Sequence, residues 1–384
     1  MSSIESPRPS PYLAVLVRRV DWMLFVAALL LTCAGLVTMN SFVGENSFFE
    51  KQLVWATGAV AVFFALSVLD FRFLRRTYII VGLYIFAVIS LLLVLGLGEI
   101  VKGAQSRFDI GIFAIQPADP VKLILILILA KYFSRRHIAI ANFRHILVSG
   151  FYTFVLFVLV FLQPDFGSAI ILLLIWLGMV LVAGISKKHL LLLLVGGIAM
   201  FALLWTFAFA DYQKDRIRTF LNPLTDLQGT GYNAYQSTVA VGSGQIFGKG
   251  VGYGTQSKLA FLPEYETDFI FAAFAEEWGF VGVALLFGLF VIVFWRIIAH
   301  ATRGASNFEI LFGVGVAVLF MSHFVIHVGM NIGLLPVTGT TIPFMSYGGS
   351  HLLTEFIALG MLMGMSGYSR SIHKDDTTKE FLGA

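Results

Sequence analysis

One cysteine in 384 residues leaves nothing within the chain to pair with, so a disulfide framework is excluded. Charge is nearly as scarce. Asp, Glu, Lys and Arg together supply 12% of the residues, about half of what a water-facing surface of this size normally carries. No internal repeat, low-complexity tract or second soluble domain is visible. No segment alternates basic and aromatic residues on a water-facing surface, so the net charge of +4 does not point to nucleic acid. What is abundant is apolar: 58% of the residues are hydrophobic, 38 of them Phe, and the mean hydropathy is +0.87. Unbroken runs such as Leu123 to Ala130 and Leu190 to Val195 give a lipid-facing composition.

A crossing of a hydrocarbon core of about 30 Å takes roughly 20 apolar residues. About ten stretches qualify, centred near residues 31, 60, 86, 125, 153, 177, 199, 282, 320 and 357. The first, from about Trp22 to Met39, is longer than the about 7–15 residues of a cleavable signal's apolar core and reads as a retained span, with Cys33 as a small core residue within it. Threaded in order, these spans collect most Lys and Arg on one side. Arg8, Arg18, Arg19, Arg72, Arg75, Arg76, Lys131, Arg135, Arg144, Lys187, Lys188, Arg296, Arg303 and Arg370 all fall there. The positive-inside rule makes that side cytoplasmic. The expectation is an all-α polytopic membrane protein, a single integral domain over residues 1–384 with about ten transmembrane helices. Segments 1–20 and 369–384 are expected in the cytoplasm. One long structured extracytoplasmic loop, residues 211–267, lies between spans seven and eight, and loops on a rigid scaffold are where function concentrates.

That loop contains Lys214, Arg216 and Arg218, then the stretch Gly242-Ser-Gly-Gln-Ile-Phe-Gly-Lys249-Gly-Val-Gly-Tyr-Gly254. A Walker loop needs Gly where Ser243 stands and Ser or Thr where Gly250 stands, so no nucleotide site is read here. The stretch is either a flexible loop or a backbone able to approach a lipid-linked phosphate, with Lys249 adding charge. Asp268 follows the loop, as a helix cap or as a functional carboxylate. Glu276 and Glu277 lie deeper in the same apolar span, where charge is costly and defaults to function. Asp119 and Lys122, three residues apart, share a helix face as a structural ion pair or as a cationic seat for phosphate, and Asp119 before Pro120 suits a helix cap. Asp165 reads as part of a polar turn. His323 and His327 stand at i and i+4 without a third ligand nearby, which favours polar packing over a metal. Glu355 has no partner legible in the sequence.

Taken together, Gln116-Pro-Ala-Asp-Pro-Val-Lys122, Gln163-Pro-Asp-Phe-Gly167, Leu262-Pro-Glu-Tyr-Glu-Thr-Asp268-Phe-Ile-Phe271, Ala275-Glu-Glu-Trp-Gly279 and Pro343-Phe-Met-Ser346-Tyr347-Gly-Gly-Ser350 stand in the order and spacing of one family. The chain resembles the SEDS proteins of shape, elongation, division and sporulation over nearly its whole length. Asn331-Ile-Gly-Leu-Leu-Pro-Val-Thr-Gly339 is more similar to the rod-shape branch than to the division branch. The resemblance implies a peptidoglycan glycosyltransferase that polymerises lipid II into glycan strands during elongation. It also implies the bacterial inner membrane, a periplasmic active site, a class B penicillin-binding protein as transpeptidase partner, and other elongation-complex membrane proteins alongside.

Carried over by position, the family's essential outer Asp falls on Asp268, its Lys on Lys122, its Glu on Asp119 and its Arg on Arg107. The chain departs from the pattern at Ala118 for Ser, at Phe108 for Trp, at Asp119, which is one methylene short, and at Glu266 for His. Glu266 adds negative charge two residues from Asp268, which can raise its pKa or help hold a cation. On this reading Asp268 is general base or metal-holding carboxylate. Lys122, Asp119, Arg107, Arg216, Arg218 and Lys249 meet substrate and pyrophosphate, and Glu276, Glu277, Asp165, Ser346 and Tyr347 support them. Asp268 with Glu264 and Glu266 offers hard oxygen ligands for a divalent cation, Mg or Mn. Two rival readings are a flippase built on the intramembrane charges, which would favour midplane sites and inverted repeats, and a non-catalytic scaffold for a partner synthase.

Overall fold

The computed structural model describes residues 20–41, 47–101, 104–110, 113–135, 143–207, 209–222, 230–258, 261–262 and 264–380. The expected segment 1–20 lies outside them except for Val20. Seven helices come first: α1 (Trp22–Asn40), α2 (Ser47–Ser67), α3 (Thr77–Leu97), α4 (Ala118–Ser134), α5 (Phe143–Phe161), α6 (Phe166–Val182) and α7 (Lys187–Phe207). Three shorter ones, α8 (Asp211–Leu221), α9 (Thr230–Ser243) and α10 (Thr255–Lys258), occupy the polar segment. The long helices α11 (Ile270–Ala301), α12 (Asn307–Asn331) and α13 (Gly349–Glu380) close the chain.

Each of the ten sequence centres lies inside one of the longer helices. Among the described residues, seven helices are long and apolar enough to cross a membrane: α1, α2, α3, α5, α7, α11 and α12. The chain is a multi-pass, mainly helical membrane protein. Helix α4 falls short of the length criterion at 17 residues and carries Asp119 and Lys122. Yet it is buried on nearly every side, from Ala118 to Ala130, and packs against α12, α6 and α3. Helix α7, strongly apolar, buries none of its residues. Burial therefore runs against hydropathy, because the helix at the centre needs protein on all sides and the peripheral one needs lipid.

Two sequence expectations are corrected by the fold. The all-α reading misses a three-stranded antiparallel sheet, β1 (Glu99–Val101), β2 (Ala104–Ile110) and β3 (Phe113–Ile115), in the order β1-β2-β3. The run between Gly103 and Gly111 in the sequence is too short and too mixed in polarity for a helix, and pairing satisfies its backbone. Cys33 is exposed on α1 rather than in the core, because the buried face of that helix runs through Leu24, Ala28, Leu31, Gly35 and Met39.

At one end of the bundle Asp21 caps α1, accepting from the Met23 and Leu24 amides at 3.1 and 3.3 Å. It also pairs with Arg296 and His300 on α11, each at 2.6 Å. Burial pushes the Asp21 carboxyl up, but hydrogen bonds from His300 and Arg296 outweigh it and hold the group well below the usual carboxylate range. The opposite end, which carries α8 to α10, is the loop face.

Candidate active site on the loop face

The turn before α11 is built on the Glu264 carbonyl, which accepts from the amides of Thr267, Asp268 and Phe269 at 3.1, 3.0 and 3.2 Å. Glu264 adopts φ of 50°, a left-handed conformation that a non-glycine residue holds only when its surroundings fix it. Phe269 occupies the cap position of α11 without a side-chain bond, so Asp268 is not that helix's cap. Its carboxylate is half-buried and lies against Gly339, where an added Cβ would stand 3.5 Å from Oδ2.

Three contacts fix the backbone around Asp268. Asn331 at the end of α12 donates its side-chain amide to the Asp268 carbonyl at 2.9 Å and to the His327 carbonyl at 2.8 Å. Its oxygen accepts from Ala272 at 3.2 Å. Ser346 donates its hydroxyl to the Thr267 carbonyl at 2.8 Å, and Tyr347 donates its amide to the Glu266 carbonyl at 2.9 Å. Gln52 on α2 brackets the same motif, donating to the Ser346 carbonyl and accepting from the Gly348 amide, each at 3.1 Å.

Residues 338–341 form the floor. Arg216 on α8 donates to the Thr338 carbonyl at 3.3 Å, His327 pairs through Nδ1 with the Thr340 carbonyl at 2.7 Å, and His323 likewise with Thr341 at 3.1 Å. Gly167 packs so closely that a Cβ there would stand 2.7 Å from Thr340. Asp165 caps α6 through the Ser168 amide at 3.0 Å and accepts from Gln116 at 2.8 Å, tying this turn to the start of α4.

Beneath the floor lies a buried ionic cluster. Lys122 approaches Asp119 at 3.2 Å and His323 at 3.4 Å. His351 approaches Asp119 at 3.4 Å and Glu355 at 3.0 Å. Glu355 in turn accepts from the Phe344 amide at 2.8 Å, holding a residue whose φ is 64°. Charges so deep persist only when paired and hydrogen-bonded. Asp119 does not cap α4, since Pro117 stands at that position without a side-chain bond.

The sequence pattern of the cell-cycle protein family of FtsW, RodA and SpoVE matches residues 14–371. The chain belongs to this family. Stage V sporulation protein E of Bacillus subtilis is 36% identical over 361 residues, covering 91% of this chain and 98% of its own length. Peptidoglycan glycosyltransferase MrdB of Escherichia coli K12 is 32% identical over 356 residues, 92% of this chain and 94% of its own. Among solved structures, a chain of a peptidoglycan synthase complex described as coordinating polymerization and crosslinking superposes with a TM-score of 0.78, at 29% identity over 91% of this chain and 98% of that one. The rod shape determining protein RodA of Thermus thermophilus gives 0.68, at 29% identity over 90% and 96%.

In this FtsW/RodA/SpoVE chain the other charged side chains are distributed unevenly. Glu276 is fully buried and is wrapped by Lys249 Nζ at 2.6 Å, the Thr255 amide and hydroxyl at 2.8 and 2.9 Å, and the Gln256 amide at 3.1 Å. Glu277 accepts from Ser41 at 2.6 Å and from the Gly252 amide at 3.0 Å. Lys249 and the two glutamates thus build the Gly-rich loop, and Asp268 points elsewhere, toward Gly339. Arg218 forms an exposed pair with Asp215 at 3.0 Å.

Arg107 on β2 is half-exposed and close enough to act on the Tyr347 phenol. Burial raises that phenol's pKa, Arg107 opposes the rise, and Glu266 and Asp109 add to it. The Tyr265 phenol is raised by burial and then by Glu266. Among the described residues no group of three or more His, Cys, Asp or Glu is arranged to hold a metal ion.

Sequence reasoning did not single out Asn331, Gln52 or His351. Asn331 and Gln52 act by bridging backbone groups from distant parts of the chain, a role that leaves no local pattern. His351 could have been found, since it stands four residues before Glu355 on one helix face.

Proposed function

We propose that this chain is a peptidoglycan glycosyltransferase that polymerises lipid II into glycan strands, with Asp268 as general base. The observation that carries this reading is the half-exposed Asp268 carboxylate on a turn whose backbone is fixed by Asn331, Ser346 and Tyr347. A base held this way needs little reorganisation before accepting a proton, and such catalysis contributes about 10²–10⁴-fold. Asp268 takes the proton from the 4-hydroxyl of the acceptor GlcNAc. That oxygen attacks C1 of the lipid-linked MurNAc, the glycosidic bond forms with inversion, and the C1–O bond to the lipid pyrophosphate breaks.

Arg216 and Arg107 are the cations best placed for the departing pyrophosphate. Arg216 lies one residue's width from Gly339, and Arg107 lies beside Tyr347. Lys122 is buried in its ionic cluster and supports the floor from below, and Asp119 holds it there. Gly339, with φ of 75°, keeps a side chain out of the space next to the carboxylate.

The same reading gives ten spans in the bacterial inner membrane with both termini in the cytoplasm. The loop face, residues 211–267 included, is periplasmic, since the basic inner segments lie at the other end. The similarity to the rod shape determining protein RodA supports a role in elongation and cell shape. The similarity to a chain from a synthase complex supports a transpeptidase partner of the class B penicillin-binding type. The test is gel-resolved polymerisation of purified lipid II, with the partner's transpeptidase site disabled. Glycan ladders from the wild type and none from Asp268→Ala support the proposal. Ladders from both remove Asp268 from the mechanism.

A further inference from the structure

The Gly-rich segment 244–253 presents a set of large apolar side chains outward. Phe247 is 81% exposed, Tyr253 71% and Ile246 60%, and neighbouring Phe280 on α11 is 69% exposed. On a water-facing loop such a patch is unfavourable, and large exposed apolar patches mark contact surfaces.

Its depth can be read from two ion-pair and hydrogen-bond levels. Helix α1 begins at Asp21, which pairs with Arg296, and ends at Ser41, which donates to Glu277. Its 19 residues span about 28 Å, close to the about 30 Å of a hydrocarbon core. Arg296 and Glu277 therefore mark the two boundaries of that core on α11. Phe247 lies at the level of Gly279, since a Cβ on Gly279 would stand 2.7 Å from the Phe247 carbonyl carbon. That is at or just below the boundary that Glu277 marks.

The backbone there is also tied into the protein at several points. Gly279 breaks α11 with φ of 64° and ψ of −167°, and the loop fills the break. Lys249 and Gly250 donate to the carbonyls of Glu276 and Glu277, each at 3.0 Å. Phe280 and Val281 donate back to Gln245 and Ile246 at 2.9 and 3.0 Å. Irregular backbone enters a bilayer when its polar groups are met by protein, and here the amides of residues 248–250, 252 and 253 and the carbonyls of 245 and 246 are met in this way. Below the break the exposed face of α11 continues as Val281, Leu285 and Val291, so the loop's apolar patch runs into the lipid-facing surface without interruption.

We infer that residues 246–253 dip into the leaflet on the loop face as a membrane-inserted element. Phe247 and Ile246 lie among acyl chains, and Tyr253 lies at the headgroup level, where amphipathic rings are favoured. The occupant of this patch is lipid. The assignment does not depend on the chemistry at Asp268.

The test is site-directed spin labelling of the full chain in a Cys33→Ser background, reconstituted in phosphatidylethanolamine and phosphatidylglycerol vesicles without a partner protein. Phe247→Cys and Tyr253→Cys are compared with Leu285→Cys on the lipid-facing side of α11 and Asp215→Cys on the exposed side of α8. Collisional access to oxygen over access to a water-soluble nickel chelate is expected to be severalfold higher at 247 than at 215 and close to that at 285, with 253 intermediate. A ratio at 247 equal to that at 215 would overturn the inference. So would a label at 247 that is shielded from the chelate only after a transpeptidase partner is added, because the patch would then be a protein interface.

Discussion

Two acidic regions less than ten residues apart behave in opposite ways. Asp268 sits on a turn where the surrounding hydrogen bonds go to backbone carbonyls, and its carboxylate stays half-exposed beside a glycine. Glu276 is fully buried and its oxygens are taken by Lys249, Thr255 and Gln256. The first carboxylate is half-exposed and the second is fully enclosed. Charge at membrane depth is thus no guide by itself to chemistry. What separates the two is exposure, together with the ring of donors that closes around Glu276.

The sharpest way to break the comparison is substitution at both carboxylates. Asp268→Ala is expected to lower lipid II polymerisation by at least about 10²-fold with no change in melting temperature. Glu276→Ala is expected to do the reverse in kind. Removing one partner of a buried pair costs about 3–5 kcal/mol, read as a lower thermal-unfolding midpoint with loosening of segment 244–256 in hydrogen exchange. If Glu276→Ala melted like the wild type, the structural role given to it would be wrong.

A smaller effect is expected from Asn331→Ala. It leaves the Asp268 carbonyl in place but unheld, so turnover should fall with little change in KM, and Asn331→Gln should not restore it because the bridge to Ala272 needs the shorter side chain. The Asp21 capping site provides a pH test. Its carboxyl pKa is depressed by folding, so its stabilisation is complete above the unfolded value near about 4 and is lost as pH falls through the folded value. Asp21→Asn should flatten that acid limb of a melting-temperature series. Smallest of all, Arg218→Ala should shift stability by less than about 1 kcal/mol, since its pair with Asp215 is exposed.

The sequence carried the helices well because apolar runs and flanking Arg and Lys report bilayer crossings directly. The motif residues of the site were legible too, but their arrangement was not. Asp119 and Lys122 read as neighbours from their spacing, whereas His351 and His323 join them only through the packing of α13 and α12 on α4. Lys249 looked like a cation for phosphate because a Gly-rich context suggests it. Its engagement with Glu276 depends on the break at Gly279, and a glycine within an apolar helix run gives no sign of one. The sheet at 99–115 was missed because three to seven residues are too few for a period to emerge.

One further consequence lies in the way α13 meets α2. A Cβ at Gly360 would come within 3.0 Å of the Phe63 carbonyl, and one at Gly364 within 2.8 Å of Leu69, while Gly349 closes directly on Trp55. With Gln52 bonded to both Ser346 and Gly348, these two helices pack closely against each other. Helix α2, whose opposite face is exposed at Leu53 and Val54, is connected through Gln52 and Ser346 to Thr267, the residue before Asp268. The turn of Thr267 and Asp268 is therefore linked by hydrogen bonds to a helix whose other face is exposed.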